Sequence, residues 1–279
     1  MIIWLASYPK SGNTWVRAFL SAYYYSSDGK FTFELLKKIK QFPSKEFFDQ
    51  KLLSVDEASE NWLVGQKKIK NKKELCFLKT HNVNGAFKGN SFTSPEFTAG
   101  AIYITRDPRN VLTSMMNHYS LNESDALKMI NSIYRNLKDE NDENNYASYS
   151  FISSWSNNYN SWKISKNFNI LLIKYEDLEN DTYNTFSKIV NFTNNIIRKE
   201  KNIDENKFKL AMKTTNFEVL QKKEEYEGFD EAVYSSKEGK MKPFFNLGSK
   251  NNYKNLLKPK TSKVIEGLFE KEMKELGYL

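Results

Sequence analysis

The sequence predicts an α/β fold, a three-layer domain in which a central parallel sheet is flanked by helices. Three observations carry that expectation. Short apolar runs of strand length recur without the polar alternation of a half-exposed sheet, so both faces of each strand are covered. Helical periodicities fall between the runs, the alternation that builds parallel sheets. The runs end in polar residues, at the carboxyl edge where ligands sit in such sheets.

The elements follow in order. Ile2 to Ala6 is the first strand, Pro9 and Gly12 mark a turn, and Trp15, Val16, Ala18, Phe19 and Ala22 follow at helical spacing. Leu75 to Leu78, Ala101 to Ile104 and Ile170 to Ile173 read as three further strands, the last ending at Lys174-Tyr175-Glu176-Asp177. Helical patterns cover Val111 to Tyr119, Ser124 to Leu137, Phe151 to Ile164 and Thr182 to Phe192. Lys138 to Asn145 reads as an exposed loop and Gln221 to Pro243 as a long mobile one, either of which could be a lid. Val264, Ile265, Leu268, Phe269, Met273 and Leu276 are spaced for a closing helix.

With 279 residues, 39% of them apolar, the chain is long enough for one substantial core, and residues 1–279 are expected to form one domain. Its 42 Lys and Arg against 34 Asp and Glu give a formal charge of +8, which favours anionic ligands at a basic cleft. On charge alone nucleotides, sulfated compounds, nucleic acid and acidic membranes all stay open. The mixed runs Lys67 to Lys73 and Lys199 to Lys209 read as solvated faces. Cys76, the single cysteine, has no internal disulfide partner and reads as a small hydrophobe. The apolar opening Met1 to Ala6 has no preceding basic region and is too short for a signal sequence, and no stretch approaches a membrane span, so a soluble, cytoplasmic protein is expected.

Between the first strand and first helix lies Tyr8-Pro9-Lys10-Ser11-Gly12-Asn13-Thr14-Trp15. Such a P-loop-like connection points backbone N–H groups and the positive helix end at an anion, and Lys10 adds a charge. It differs from the nucleotide triphosphatase pattern because its lysine precedes the glycine. The string closely resembles the 5′-phosphosulfate loop of the sulfotransferases that use 3′-phosphoadenosine-5′-phosphosulfate (PAPS), with Asn13 in place of a threonine. Phe77-Leu78-Lys79-Thr80-His81 resembles the segment carrying that family's catalytic base, and Arg106 with Ser114 eight residues on resembles its 3′-phosphate segment. Tyr175-Glu176-Asp177-Leu178 resembles a further strand end of the family, and Thr214-Thr215-Asn216-Phe217 an adenine-pocket stretch. These matches run in order from about Ile3 to Leu220. One departure stands near the C-terminus. Gly248 and Lys254-Asn255 align with the family, but its basic 3′-phosphate pair is replaced by Asn246 and Leu247, leaving Lys250 or Lys242 to reach in.

The resemblance implies transfer of a sulfuryl group from PAPS to a hydroxyl or amine of a small acceptor, releasing 3′-phosphoadenosine-5′-phosphate (PAP), without nucleic-acid or membrane partners. His81 is the expected general base, since an imidazole with an ordinary pKa near 6.5 can take an acceptor proton at neutral pH. Lys10 would stabilise the leaving phosphate, with Ser11, Gly12, Asn13 and Thr14 holding it through backbone N–H groups. Lys79, on the same side of an extended segment as His81, could touch the sulfuryl oxygens. Arg106 and Ser114 would hold the 3′-phosphate. Trp15 and Phe217 could sandwich adenine, with Tyr175, Thr215, Gly248 and Lys250 completing the nucleotide site. No metal is required, and no residue cluster has metal-ligand spacing. His118, the other histidine, reads as structural or peripheral. Tyr23, Tyr24, Phe87, Phe92, Tyr119 and Tyr149 are acceptor-wall candidates by composition alone, and the oligomeric state is unspecified.

Each residue also has a plainer reading. His81 could be a satisfied strand-end histidine, Arg106-Asp107-Pro108 a helix start with a local ion pair, and Trp15 and Phe217 core. Two other functions remain in view: a nucleotide-dependent kinase, which would need a Mg²⁺ ligand after the loop lysine, and a non-catalytic binder of nucleotides or sulfated glycans.

Overall fold

Strand β1 (Ile2–Ser7) occupies the middle of a five-stranded parallel sheet in the order β2-β3-β1-β4-β5, where β2 is Lys40–Gln41, β3 Cys76–Thr80, β4 Thr98–Thr105 and β5 Ile170–Lys174. The protein is described from a computed structural model that covers residues 1–70, 76–138, 148–197, 202–235 and 239–279. Position 75, the expected start of β3, the parts of the two charged runs at 71–73 and 199–201, and all but Lys138 of the exposed loop expected at Lys138 to Asn145 lie outside the described residues. Strand β2 is too short to leave a periodic signal and escapes a sequence reading.

The sheet is sandwiched because β1 is apolar on both sides. Ile2, Trp4 and Ala6 enter one core with the helices Val55–Lys70, Pro108–His118, Glu123–Asn131 and Trp155–Lys163. Ile3 and Leu5 enter the other with α1 (Asn13–Tyr25) and the helices Thr182–Ile197, Glu205–Thr214 and Phe217–Glu227. All five of these β1 side chains are fully buried. Burying each larger one stabilises the fold by about 1.5–3 kcal/mol, so the strand carrying the anion loop is among the firmest parts of the molecule. No helix among the described residues is long and apolar enough to cross a membrane.

Three expectations are corrected. The helix expected through Leu137 stops at Asn131, and the chain turns so that Asn136–Leu137 pairs with Ser150–Phe151. The loop expected at Gln221 to Pro243 begins as the helix Phe217–Glu227, which Asn216 caps through its side-chain oxygen and Gly228 ends with φ 73°. Its charged residues hide an amphipathic face, with Leu220 and Glu224 turned inward. A hairpin, Val233–Ser235 with Lys240–Lys242, follows. The closing helix is two helices, Pro259–Leu268 and Glu270–Leu276, parted at Phe269.

Candidate active site

Strand order reverses about β1, so the carboxyl ends of β1, β3 and β4 open onto one crevice. The cleft there encloses about 1770 Å³. Lys10, Gly12, Asn13, Thr14, Trp15, Lys79, His81, Arg106, Ser114, Tyr175, Phe217 and Gly248 all line it, which brings twelve residues proposed from sequence to one place. Ser11, Thr215 and Lys250 lie otherwise. Ser11 is fully buried within the loop, Thr215 is buried with its hydroxyl donating to the Ala211 carbonyl at 2.7 Å, and Lys250 is exposed.

The loop's shape comes from two residues with positive φ, Lys10 at 66° and Gly12 at 95°. A Cβ on Gly12 would stand 2.4 Å from the Tyr175 ring, so glycine is required both for the backbone angle and for the close approach. Asn13 turns inward, its amide donating to the Leu5 carbonyl at 3.0 Å and Ser7 Oγ at 3.2 Å. It therefore braces the loop against β1 with its side-chain amide. Around this loop, buried donors lack partners among the described residues: Ser11 Oγ, Arg17 Nε and Arg106 Nε. Buried donors are rarely left unpaired, and such a cluster fits a ligand rich in oxygen acceptors.

Lys79 and Arg17 pair with Glu231, Lys79 Nζ at 3.3 Å from its carboxylate, and Thr14 Oγ1 donates to the same group at 3.3 Å. Burial opposes ionisation of Glu231, but the Arg17 and Lys79 charges hold its carboxyl well below the usual range. Lys10 rests over the Phe244 ring, 4.1 Å from its centroid. Burial, with Lys79 and Arg106 nearby and Glu231 opposing, brings its ammonium down to about 7.

His81 follows β3, and its Nδ1 lies 2.7 Å from the Ser7 carbonyl oxygen, with Ser7 Oγ at 3.3 Å. A carbonyl only accepts, so Nδ1 carries the proton and Nε2 keeps its lone pair. Burial and the Lys79 charge lower the imidazole pKa to about 3, so His81 is neutral in the ligand-free protein at physiological pH.

Arg106 stacks on the Tyr175 ring at 3.9 Å and donates to the Lys10 carbonyl at 3.3 Å. The helix-start reading of this segment belongs to its neighbours: Asp107 caps Pro108–His118 and pairs with Arg109 at 2.7 Å, leaving Arg106 on the cleft side. Glu176 is a brace, accepting from the Asp107 amide and the Tyr278 hydroxyl. The altered segment hangs from the helix Phe217–Glu227, since Glu224 accepts from the Phe244 and Phe245 amides and Gln221 donates to the Phe245 and Asn246 carbonyls. Gly248 (φ 53°) presses on Phe217, where an added Cβ would stand 2.6 Å from the ring. Asn246 and Leu247 line the cleft where basic residues were sought, while Lys242 donates to the Asn117 carbonyl.

Three cleft residues escaped the sequence reading. His118 lines the cleft, one helical turn beyond Ser114, a spacing that would have placed it there. Glu231 and Arg135 also line it, and neither sits in a pattern that marks it. Of the acceptor-wall candidates, Tyr119 lines the cleft, whereas Tyr23 and Phe92 are core.

The sulfotransferase domain family matches residues 2–277 of the chain. Among solved structures the chain is similar to mouse sulfotransferase SULT7A1 complexed with PAP, at 18% identity and a TM-score of 0.58, over 97% of this chain and 83% of that one. It is likewise similar to retinol dehydratase in a complex with retinol and PAP, at 17% identity and a TM-score of 0.58, over 98% of this chain and 81% of that one. No curated protein sequence matches it.

Proposed function

The chain belongs to the sulfotransferase domain family, and we propose that it moves a sulfuryl group from PAPS to a hydroxyl or amine of a small acceptor, with residues 1–279 acting as one domain. The observation that carries this reading is the pairing of a proton-free His81 Nε2 with the Lys10 and Lys79 cations in one cleft. PAPS, when bound, supplies an activated sulfuryl group on a phosphate leaving group.

His81 takes the acceptor proton on Nε2, the nitrogen that the Ser7 carbonyl leaves bare. An anion in the cleft would offset the Lys79 charge and so lift the imidazole from about 3 towards a more effective base. Lys10 stabilises charge developing on the leaving phosphate, and Lys79 steadies the transferring oxygens. Backbone N–H groups of Ser11 to Thr14, at the positive end of α1, hold the 5′-phosphate. Arg106 and Ser114 hold the 3′-phosphate, the guanidinium pre-set by its stack on Tyr175. Trp15, Phe217 and Gly248 form the adenine pocket. Thr215 supports it from within the core, and Lys250 contributes only long-range charge from the surface. The donor must also displace Glu231 from Arg17 and Lys79, because one carboxylate and one incoming anion compete for the same cations.

The test is transfer of ³⁵S-labelled sulfate from PAPS onto a panel of phenols, alcohols and amines, together with melting curves. PAP should raise the melting temperature, by about 2.7 kcal/mol of added stability at a hundred times its Kd, and MgATP should do much less. Equal shifts with the two nucleotides, and no labelled product, would instead favour the kinase reading.

A further inference from the structure

The cleft is also lined by Tyr119, Leu121, Met129 and Leu137, an apolar group, and by the buried cation Arg135. Arg135 is only 7% exposed. Its Nη1 donates to the Tyr8 hydroxyl at 2.6 Å and lies 3.8 Å from Met115 Sδ, and its guanidinium faces the Tyr8 and Tyr119 rings at 5.4 and 5.8 Å.

None of these partners carries a negative charge. Burial pushes the Tyr8 phenol up to about 12, against the pull of Arg135, so it stays neutral. The main-chain carbonyl of Arg135 accepts from the Ile152 and Ser153 amides, which fixes where the side chain starts. No carboxylate among the described residues pairs with the guanidinium, and Glu231 is held by Arg17 and Lys79. A buried guanidinium without a counter-charge is costly, and such groups are normally paired.

The geometry also says which side of the guanidinium is unused. Nη1 is occupied, while Nε and Nη2 have no hydrogen-bond partner among the described residues, and the residue lines the cleft. That edge, two parallel N–H groups, is the one that grips a carboxylate bidentately. Arg135 and His81 line the same cleft, so a group held by Arg135 and a hydroxyl at His81 can belong to one small molecule.

Resting on the sulfotransferase reading and going beyond it, we infer that the acceptor is a small hydroxylated acid, with an apolar or aromatic body, whose carboxylate is bound by Arg135 while its hydroxyl is presented to His81. Arg135 thus selects the acceptor and takes no part in the bond exchange.

The test uses 4-hydroxybenzoate, 4-hydroxyphenylacetate and 3-(4-hydroxyphenyl)propionate, each beside its methyl ester, so that charge changes at near-constant shape. With PAPS, at least one acid should show kcat/KM ten-fold or more above its ester. In Arg135→Gln that ratio should fall to about one through a raised KM for the acid, with the ester's kcat/KM and the PAP melting shift retained. Arg135→Lys, which keeps the charge and loses the fork, should fall between. Calorimetric titration of the same acids and esters into PAP-loaded protein separates this inference from the parent reading. Arg135-dependent binding of an acid without any sulfate transfer would uphold the acid site and sink the sulfotransferase activity. Acids and esters turned over or bound alike, binding of neither, or an acid preference that survives in Arg135→Gln would overturn the inference.

Discussion

Replacing His81 with alanine should lower turnover by about 10²–10⁴-fold, the span expected for loss of a general base, while leaving the PAP-induced melting shift within a degree of the parent protein. The two readouts separate because the imidazole's hydrogen bonds run to Ser7, and in the proposed mechanism its free nitrogen serves the acceptor and not the nucleotide. A structural histidine would behave otherwise: its loss would loosen the join between β1 and β3, lower the melting temperature and weaken PAP along with turnover. His81→Gln, which can still donate to the Ser7 carbonyl but cannot accept a proton at a basic nitrogen, should be as inactive as the alanine variant and fully folded. Activity retained by His81→Gln would move the base elsewhere in the cleft, with His118 and Glu231 the first candidates.

Lys10→Met should cost a further large factor, about 10²–10³ in kcat, the range seen when one preorganised stabiliser of developing charge is removed. Methionine keeps most of the apolar stem but not the ammonium over Phe244, so the change removes the charge together with its cation–π contact. The loss should appear in kcat more than in KM, because other groups share the ground-state phosphate. A pH signature accompanies it. The free-state ammonium titrates near 7, pushed down chiefly by burial, and a bound phosphate raises its pKa again. At pH 8 PAP binding should therefore take up close to one proton, and affinity should fall as pH rises from 7 to 9. Calorimetry in buffers of different ionisation enthalpy reads that uptake directly, and Lys10→Met should abolish it. An unchanged proton uptake in the variant would show that Lys10 does not sense the phosphate.

The sheet and the loop side of the cleft were legible because their signals are local. Ile2 to Ala6 is a strand that must be covered on both faces, and the loop after it carries its turn residues and its charge within eight positions. Lys79, His81, Arg106 and Tyr175 could be placed together for one topological reason: each lies at or just past the carboxyl end of a parallel strand. The rest of the cleft was hidden because its residues come from segments whose local pattern points elsewhere. Arg135 lies in what reads as the tail of a helix, and only the premature stop at Asn131 turns it under Tyr8. Glu231 sits inside Gln221 to Pro243, which reads as a long mobile loop, and its place in the cleft depends on Arg17 and Lys79, two side chains far away in sequence. Asn13 shows the limit of motif transfer. Its place in the loop was legible, but the direction of its amide, inward to Leu5 and Ser7, was not.

A crystal structure of the protein with PAP tests the cradle most directly. The 5′-phosphate should lie against the backbone of Ser11 to Thr14 with Lys10 Nζ in contact, Glu231 withdrawn from Arg17 and Lys79, and His81 Nε2 facing the place the sulfur would occupy. A phosphate bound away from this loop, or Glu231 still seated between its two cations with PAP present, would contradict the account.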